Sequence, residues 1–278
     1  MAYKSILTVT MGGTVEGSAL DGAVAMAEQC DAHLEVLALG VDETTPGYYY
    51  AGANAMIEQQ AIDRAREEAA ATEAAVRQVL EGRAVRWSVV TGVAQIGTIQ
   101  HLVGGHARFS DVVVLPKPYG DGRTTADEAV LEAALFSGNV PVLVLPEGQL
   151  PKAPERVVVA WNQSAEAMGA IRAALPLIVA ANLTNIVIVD PPRHSADRSD
   201  PGGYLSQMLS RHGARPEVAV VSATMPKIAD VLIRHCSDRE ADLLVMGAYG
   251  HSRFREALLG GATRDVLESA SLPVFMHH

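Results

Sequence analysis

Only two cysteines occur in the 278 residues, aromatic side chains make up 5 % of the chain, and basic residues are outnumbered 22 to 32 by acidic ones. Cys30 and Cys236 lie on different predicted helices with no Cys or His at ligand spacing. This excludes a disulfide framework and a zinc knuckle, and leaves buried thiols in a reducing compartment as the expectation. A formal net charge of -10 removes the basic face that sequence-independent nucleic-acid binding requires, although free nucleotides remain open to a local loop. No apolar run reaches the roughly 18 residues of a membrane span; the longest, Ala173 to Leu183, contains Pro176. The chain passes from Met1-Ala2-Tyr3-Lys4 straight into a strand-like run without an apolar leader, so a cytoplasmic location is expected. His251, His277 and His278 fall in no metal-ligand pattern.

What is present is alternation. Apolar, β-branched runs at Tyr3–Thr10, His33–Leu39, Val85–Val90, Asp111–Leu115 and Val140–Leu145 alternate with helical patterns at Ala19–Cys30, Ala55–Glu81, Ala94–Ala107 and Thr125–Ser137. Runs this short and this apolar suit strands covered on both faces. Strand–helix alternation calls for right-handed crossovers and an open parallel sheet. The stretch EGQLPKAPE, Glu147 to Glu155, has two prolines and no periodicity and reads as a linker.

After the linker the order recurs. Strands are predicted at Arg156–Trp161, Asn185–Val189, Pro216–Val221, Asp242–Met246 and Pro273–His277. The helices predicted between them are Ser164-capped to Ala180, Tyr204–His212, Met225-Pro226 to Ser237, and Ala262–Ala270. SDVVVLP at Ser110 parallels ADLLVMG at Ala241, and VPVLVL at Val140 parallels LPVFMH at Leu272. The expected fold is therefore α/β and Rossmann-like: two tandem open parallel five-stranded sheets with helices on both faces. The two repeats span residues 1–148 and 153–278.

The stretch Asp242–Thr263 carries the candidate site. The strand stops at Gly247; Gly250 follows three residues later, and Gly260-Gly261 stand immediately before the last helix. Glycines let backbone N–H groups face a ligand, and a helix start adds unpaired donors with a positive dipole end. Together they make a candidate phosphate cradle, the alternative being a tight turn and a helix start packed closely against the sheet. Ser252 and Arg253, after the second glycine, are placed to reach a phosphate or to lie in a solvated loop. In the first repeat the matching loop reads Pro116-Lys117-Pro118-Tyr119-Gly120. Prolines deny it donors, and counting back from the last strand sets Glu128-Ala129 opposite Gly260-Gly261. The second repeat is the one expected to bind. No P-loop lysine and no acid/base pair accompanies the loop; Asp242 sits at the far end of its strand, and Asp265 suits a capping role in the first turn of a helix.

Strand, Gly-x2-Gly-x9-Gly, helix and a terminal strand after Leu272-Pro273 resemble the nucleotide-binding branch of the universal stress protein family. VVVAWNQSAEAMGAI at Val157 matches the opening strand, turn and first helix of that family. The resemblance implies ATP, or AMP or ADP, held with Mg or Mn in the second repeat only. Gly247, Gly250, Gly260 and Gly261, with Ala262 and Thr263 behind them, would surround the phosphates. Asn162, which is equally at home as a turn residue before Ser164, stands where the family has an Asp toward the nucleoside. Ile188 would meet adenine through its backbone. Family members that bind ATP carry Ser or Thr directly after the last motif glycine; here Gly261 keeps the backbone donor and lacks the hydroxyl, a loss of about 0.5–1.5 kcal/mol.

The resemblance also implies that Val140–Leu145 and Val274–His277 pair within one chain as a built-in pseudo-dimer, with a further homodimer and unidentified protein partners left open. The function expected is a sensor or regulator of the stress response. The alternatives are a nucleotide-free interaction adaptor, which could use Tyr48-Tyr49-Tyr50 as a surface, and a slow ATP hydrolase.

Overall fold

The computed structural model describes residues 3–12, 15, 18–42, 54–148, 153–191, 200–250 and 261–278. These form two compact units, residues 3–140 and 141–278. The Tyr48–Tyr50 cluster and most of the loop after the second strand of the second repeat lie outside the described residues.

In the first unit the elements are β1 (Ser5–Met11), α1 (Ser18–Cys30), β2 (His33–Asp42), α2 (Asn54–Leu80), β3 (Arg86–Gln95), α3 (Ile99–Ala107), β4 (Val112–Pro116) and α4 (Thr125–Glu132). The strands run parallel in the order β3-β2-β1-β4. Their apolar runs are buried throughout β4 up to Leu115 and through most of β1 and β2, as expected when helices cover a parallel sheet. The sequence predicts β3 to end at Val90 with a helix from Ala94. In the structure β3 continues to Gln95, because β2 offers it a partner as far as Asp42 and Gln95 Nε2 donates to Asp42 Oδ2 at 3.1 Å.

The second unit contains β5 (Val142–Leu145), β6 (Arg156–Ala160), α5 (Ala165–Ala173), α6 (Leu175–Ala180), β7 (Leu183–Val189), α7 (Gly203–Arg211), β8 (Pro216–Val221), α8 (Ile228–Asp238), β9 (Leu243–Gly247), α9 (Ala262–Ser269) and β10 (Val274–His277). The strand order is β5-β10-β9-β6-β7-β8. All neighbours are parallel except β5 and β10, which pair antiparallel through Val274 with Val144, Phe275 with Leu143 and Met276 with Val142. The pairing of the two terminal apolar runs within one chain is thus present. Phe275 and Met276 are fully buried in it.

Two helix boundaries differ from the sequence expectation. The single helix predicted from Ser164 to Ala180 breaks at Ala174, because Pro176 has no N–H for the preceding turn and instead starts α6. The helix predicted from Met225-Pro226 starts later, with Lys227 as its N-cap and Ile228 as its first residue.

Matching side chains recur in the two units. Asp111, at the start of β4, accepts the backbone N–H groups of Lys4 (2.6 Å) and Ser5 (2.9 Å) at the start of β1. Asp242, at the start of β9, accepts those of Glu155 (2.8 Å) and Arg156 (3.1 Å) at the start of β6. The third residue of β2, Glu35, meets His106 of α3 at 2.7 Å. The third residue of β7, Asn185, meets His235 of α8 at the same distance. Burial holds the His235 pKa below the ordinary histidine value, with the nearby Arg239 charge adding to the shift.

Candidate functional site

Four all but buried residues, Leu243 to Met246, bring β9 up between β10 and β6 and deliver Gly247 at its carboxyl end. The start of α5 crosses there. A Cβ on Gly247 would lie 2.5 Å from Ala167 N and 2.9 Å from Glu166 C, closer than any side chain tolerates, so the close approach of two backbones requires glycine. Beyond it, Ala248 N–H donates to His277 O at 2.9 Å and the His278 ring contacts Ala248 O at 3.1 Å. The one left-handed residue among the described part of the loop is Tyr249, at φ 54°; neither Gly247 nor Gly250 has positive φ.

Thr263 holds this turn in place. It is buried, and its Oγ1 accepts Tyr249 N–H at 3.0 Å. The first turn of α9 is thereby fastened to the glycine loop. Gly261 is the N-cap of α9, extended at φ -70° and ψ 157°, and among the described residues no side chain caps that turn. Ala262 is exposed beside it. Asp265, in the same turn, accepts Lys227 Nζ at 2.6 Å.

The corresponding helix start of the first unit is closed. Thr124 is the N-cap of α4; its Oγ1 accepts Ala126 N–H at 3.2 Å, and Asp127 Oδ2 accepts Thr124 N–H at 2.8 Å. This capping box satisfies donors that an anion would otherwise take. Counting back from the last strand had set Glu128-Ala129 opposite the glycine pair. The counterpart of Gly261 is Thr124 instead, because a π-helical stretch, Ala133–Gly138, adds residues between α4 and β5.

Asn162 is exposed two residues past the end of β6, and its Oδ1 accepts Ser164 N–H at 3.1 Å; Ser164 Oγ in turn accepts Ala167 N–H at 3.0 Å and caps α5. Both side chains therefore organise the turn into α5. Ile188 is buried and paired with Val220 of β8. Ladder alternation, marked by Asp190 N–H to Val221 O on one side and Trp161 N–H to Val187 O on the other, turns the Ile188 amide toward β8. The Val189 amide faces β6, past Ala160, the last β6 residue in that register. Gly247, Gly250, Asn162 and Gly261 to Thr263 gather at the carboxyl ends of β6 and β9, with Ile188 one strand further out. Ser252, Arg253 and Gly260 lie outside the described residues. Sequence reasoning missed one member of the site and one role. Thr263 was placed in the site, and its hydroxyl is also the anchor of Tyr249. Glu166 was passed over, and its carboxylate is the group that a Cβ on Gly250 would meet, at 3.2 Å from Oε2.

A unit of parallel strands alternating with helices, with glycines at the carboxyl end of one strand, belongs to the class of open-sheet, Rossmann-like α/β folds. Residues 154–278 match the model of the Universal stress protein family. A universal stress protein of Synechocystis is 35 % identical over 72 residues, which cover 26 % of this chain and 24 % of that protein, about a quarter of its length. Among solved structures, a universal stress protein from Archaeoglobus fulgidus matches 98 % of this chain and 95 % of its own, with TM-score 0.72 and 16 % identity. A functionally unknown protein from Pseudomonas aeruginosa matches 99 % and 92 %, with TM-score 0.58 and 20 % identity. These likenesses extend the fold across the whole chain. The C-terminal region, residues 154–278, is therefore a domain of the universal stress protein family.

Proposed function

We propose that this chain is a cytoplasmic stress-response sensor or regulator that binds an adenine nucleotide, ATP with Mg or Mn, in the repeat spanning residues 153–278. The observation that carries the reading is the contrast between two helix starts: α4 is closed by Thr124 and Asp127, whereas Gly261 leaves the start of α9 without a side-chain cap. Backbone N–H groups at Gly250, Gly261 and Ala262 would meet the phosphates, with Gly247 setting the turn and Ser252, Arg253 and Gly260 completing the loop. Thr263 would act from behind by holding Tyr249. Asn162 keeps its Nδ2 donor for the nucleoside while its Oδ1 serves the turn. The backbone at Ile188–Val189 would meet adenine, and the alternation of the ladder favours Val189 as the donor. In this reading the repeat spanning residues 1–148 is a structural partner, and the β5–β10 pairing supports an intramolecular pseudo-dimer.

A second reading, a nucleotide-free adaptor, draws support from Asn162 and Ser164, whose side-chain acceptors both serve the local turn. Calorimetric titration of the purified chain with ATP and AMP in the presence of MgCl2 separates the two. The nucleotide reading expects saturable heat and a raised melting temperature. No heat and no thermal shift at millimolar nucleotide would leave the adaptor.

A further inference from the structure

We infer that β3, the outer strand of the first unit, is the surface through which two copies of this chain pair edge to edge. The inference does not depend on the nucleotide reading. Among the described residues β3 has β2 on one side and no strand on the other, so alternate residues turn their N–H and C=O groups out of the sheet. Its ten residues pair with β2 in unbroken register, from His33 with Arg86 to Asp42 with Gln95, and no bulge interrupts the edge.

Sheet edges are ordinarily blunted by brevity, proline, bulges or charged side chains. The corresponding edge of the second unit, β8, follows this rule: it has six residues, opens on Pro216, and carries the exposed Glu217 with Arg215 just before it. β3 has none of these devices beyond its first residue. Arg86 is turned back into its own unit, where it donates to Asp31 Oδ1 at 2.8 Å. Ser88 Oγ is likewise engaged inside the sheet, with His33 Nε2 at 2.9 Å. From Trp87 to Gln95 the strand has neither proline nor charge. Thr91, Val93 and Ile96 are exposed along it and just past its end, the last two at 36 % and 38 %.

Charge decides the occupant. A net charge of -10 sets two copies repelling each other, so self-association needs a surface from which charge is missing. Trp87 to Ala107, 21 residues spanning β3 and α3, contains no Asp, Glu, Lys or Arg and is the longest such run in the chain. A charged strand would find no counter-charge here, whereas an identical strand meets neither repulsion nor an unpaired charge. A two-fold axis makes the pairing antiparallel. Full overlap sets the axis near Thr91, with Val89 opposite the partner's Val93 and the two Arg86 side chains at opposite ends. Strands about 33 Å long exchange roughly ten backbone hydrogen bonds. With a layer of side chains on each face the seam covers about 1,300 Å2 over both copies, within the roughly 1,200–2,000 Å2 of stable pairs.

The test is the mass of the full chain at micromolar concentration by analytical ultracentrifugation, for the wild type, Thr91→Lys and Val220→Lys, with circular dichroism to establish that each is folded. Thr91→Lys sets two ammonium groups against each other at the axis. Val220→Lys charges an exposed position on β8, the competing edge. The wild type and Val220→Lys are expected at twice the 29.4 kDa of one chain, and Thr91→Lys at that of a single chain. Hydrogen exchange on the wild type supplies a reading that needs no variant: β3 amides should exchange more slowly as concentration rises. A monomeric wild type, a dimer that survives Thr91→Lys, a dimer dissolved by Val220→Lys, or β3 exchange independent of concentration overturns the inference and leaves the nucleotide reading untouched.

Discussion

Replacing Gly247 with alanine puts a methyl carbon where the backbone of α5 already is. Its distances of 2.5 Å to Ala167 N and 2.9 Å to Glu166 C fall well short of ordinary carbon contact at about 3.5–4.0 Å. The obstructing atoms are main chain, so no rotamer change relieves them; β9 and the start of α5 must move apart. Overpacking of this kind costs about 1–3 kcal/mol, and two rigid backbones place Gly247→Ala in the upper half of that range. At roughly 2–4 °C per kcal/mol for a chain of this size, the melting temperature should fall by roughly 5–10 °C. Gly250→Ala is the control. Among the described residues its methyl would meet only the carboxylate end of Glu166, and neither position needs positive φ, so its melting temperature should stay within about 2 °C of the wild type. Thermal melts of the three proteins without nucleotide, followed by circular dichroism, decide the matter. A Gly247→Ala protein as stable as the wild type, or a Gly250→Ala protein less stable than it, would refute the assignment of Gly247 to helix–strand packing.

Thr263→Val keeps the volume and removes the acceptor of Tyr249 N–H. With that N–H left unsatisfied the loss should be about 1–3 kcal/mol in urea denaturation, with hydrogen exchange at Tyr249 accelerated; unchanged exchange would contradict the anchor. His235 titrates below its ordinary value of 6.5 when folded. Above 6.5 both folded and unfolded chains carry it neutral; as pH falls through 6.5 the unfolded chain takes the proton first, so stability declines from there down to the folded pKa. Glu and Asp titration overlies this at lower pH, so the measurement is the difference between wild type and His235→Gln from pH 7.5 to 5: the variant should lose less stability over that window, and parallel curves would refute the contribution.

Much of the candidate site was legible as position and little of it as role. The run Leu243–Met246, Gly247, Gly250 and the helix after Gly261 were placed correctly because a buried strand, a glycine-marked turn and a helix start are local patterns. Ser164 as the cap of α5 is local too, since it receives the N–H three residues on. The two glycines looked alike in sequence. They differ because one faces backbone and the other a side chain of α5, more than 80 residues earlier in the chain. The register of the first repeat was misjudged at Glu128 because a π-helical insertion changes length without leaving a break in hydrophobic pattern.

What the sequence determined by itself was the α/β order and the parallel strands, while the pairing of Val140–Leu145 with Val274–His277 was implied by the family resemblance. The order and the strands follow from runs of apolar residues whose length and spacing admit few ways of being covered. The tertiary structure alone decided that Thr263 ties Tyr249, that Thr124 and Asp127 close one helix start while Gly261 leaves the other open, and that Glu166 stands over Gly250. The Thr263–Tyr249 and Glu166–Gly250 contacts join residues 14 and 84 positions apart in the chain. Their physical content is a hydrogen bond or a charge at a distance of about 3 Å, and such distances are set by how elements pack, which no local pattern of residue types records.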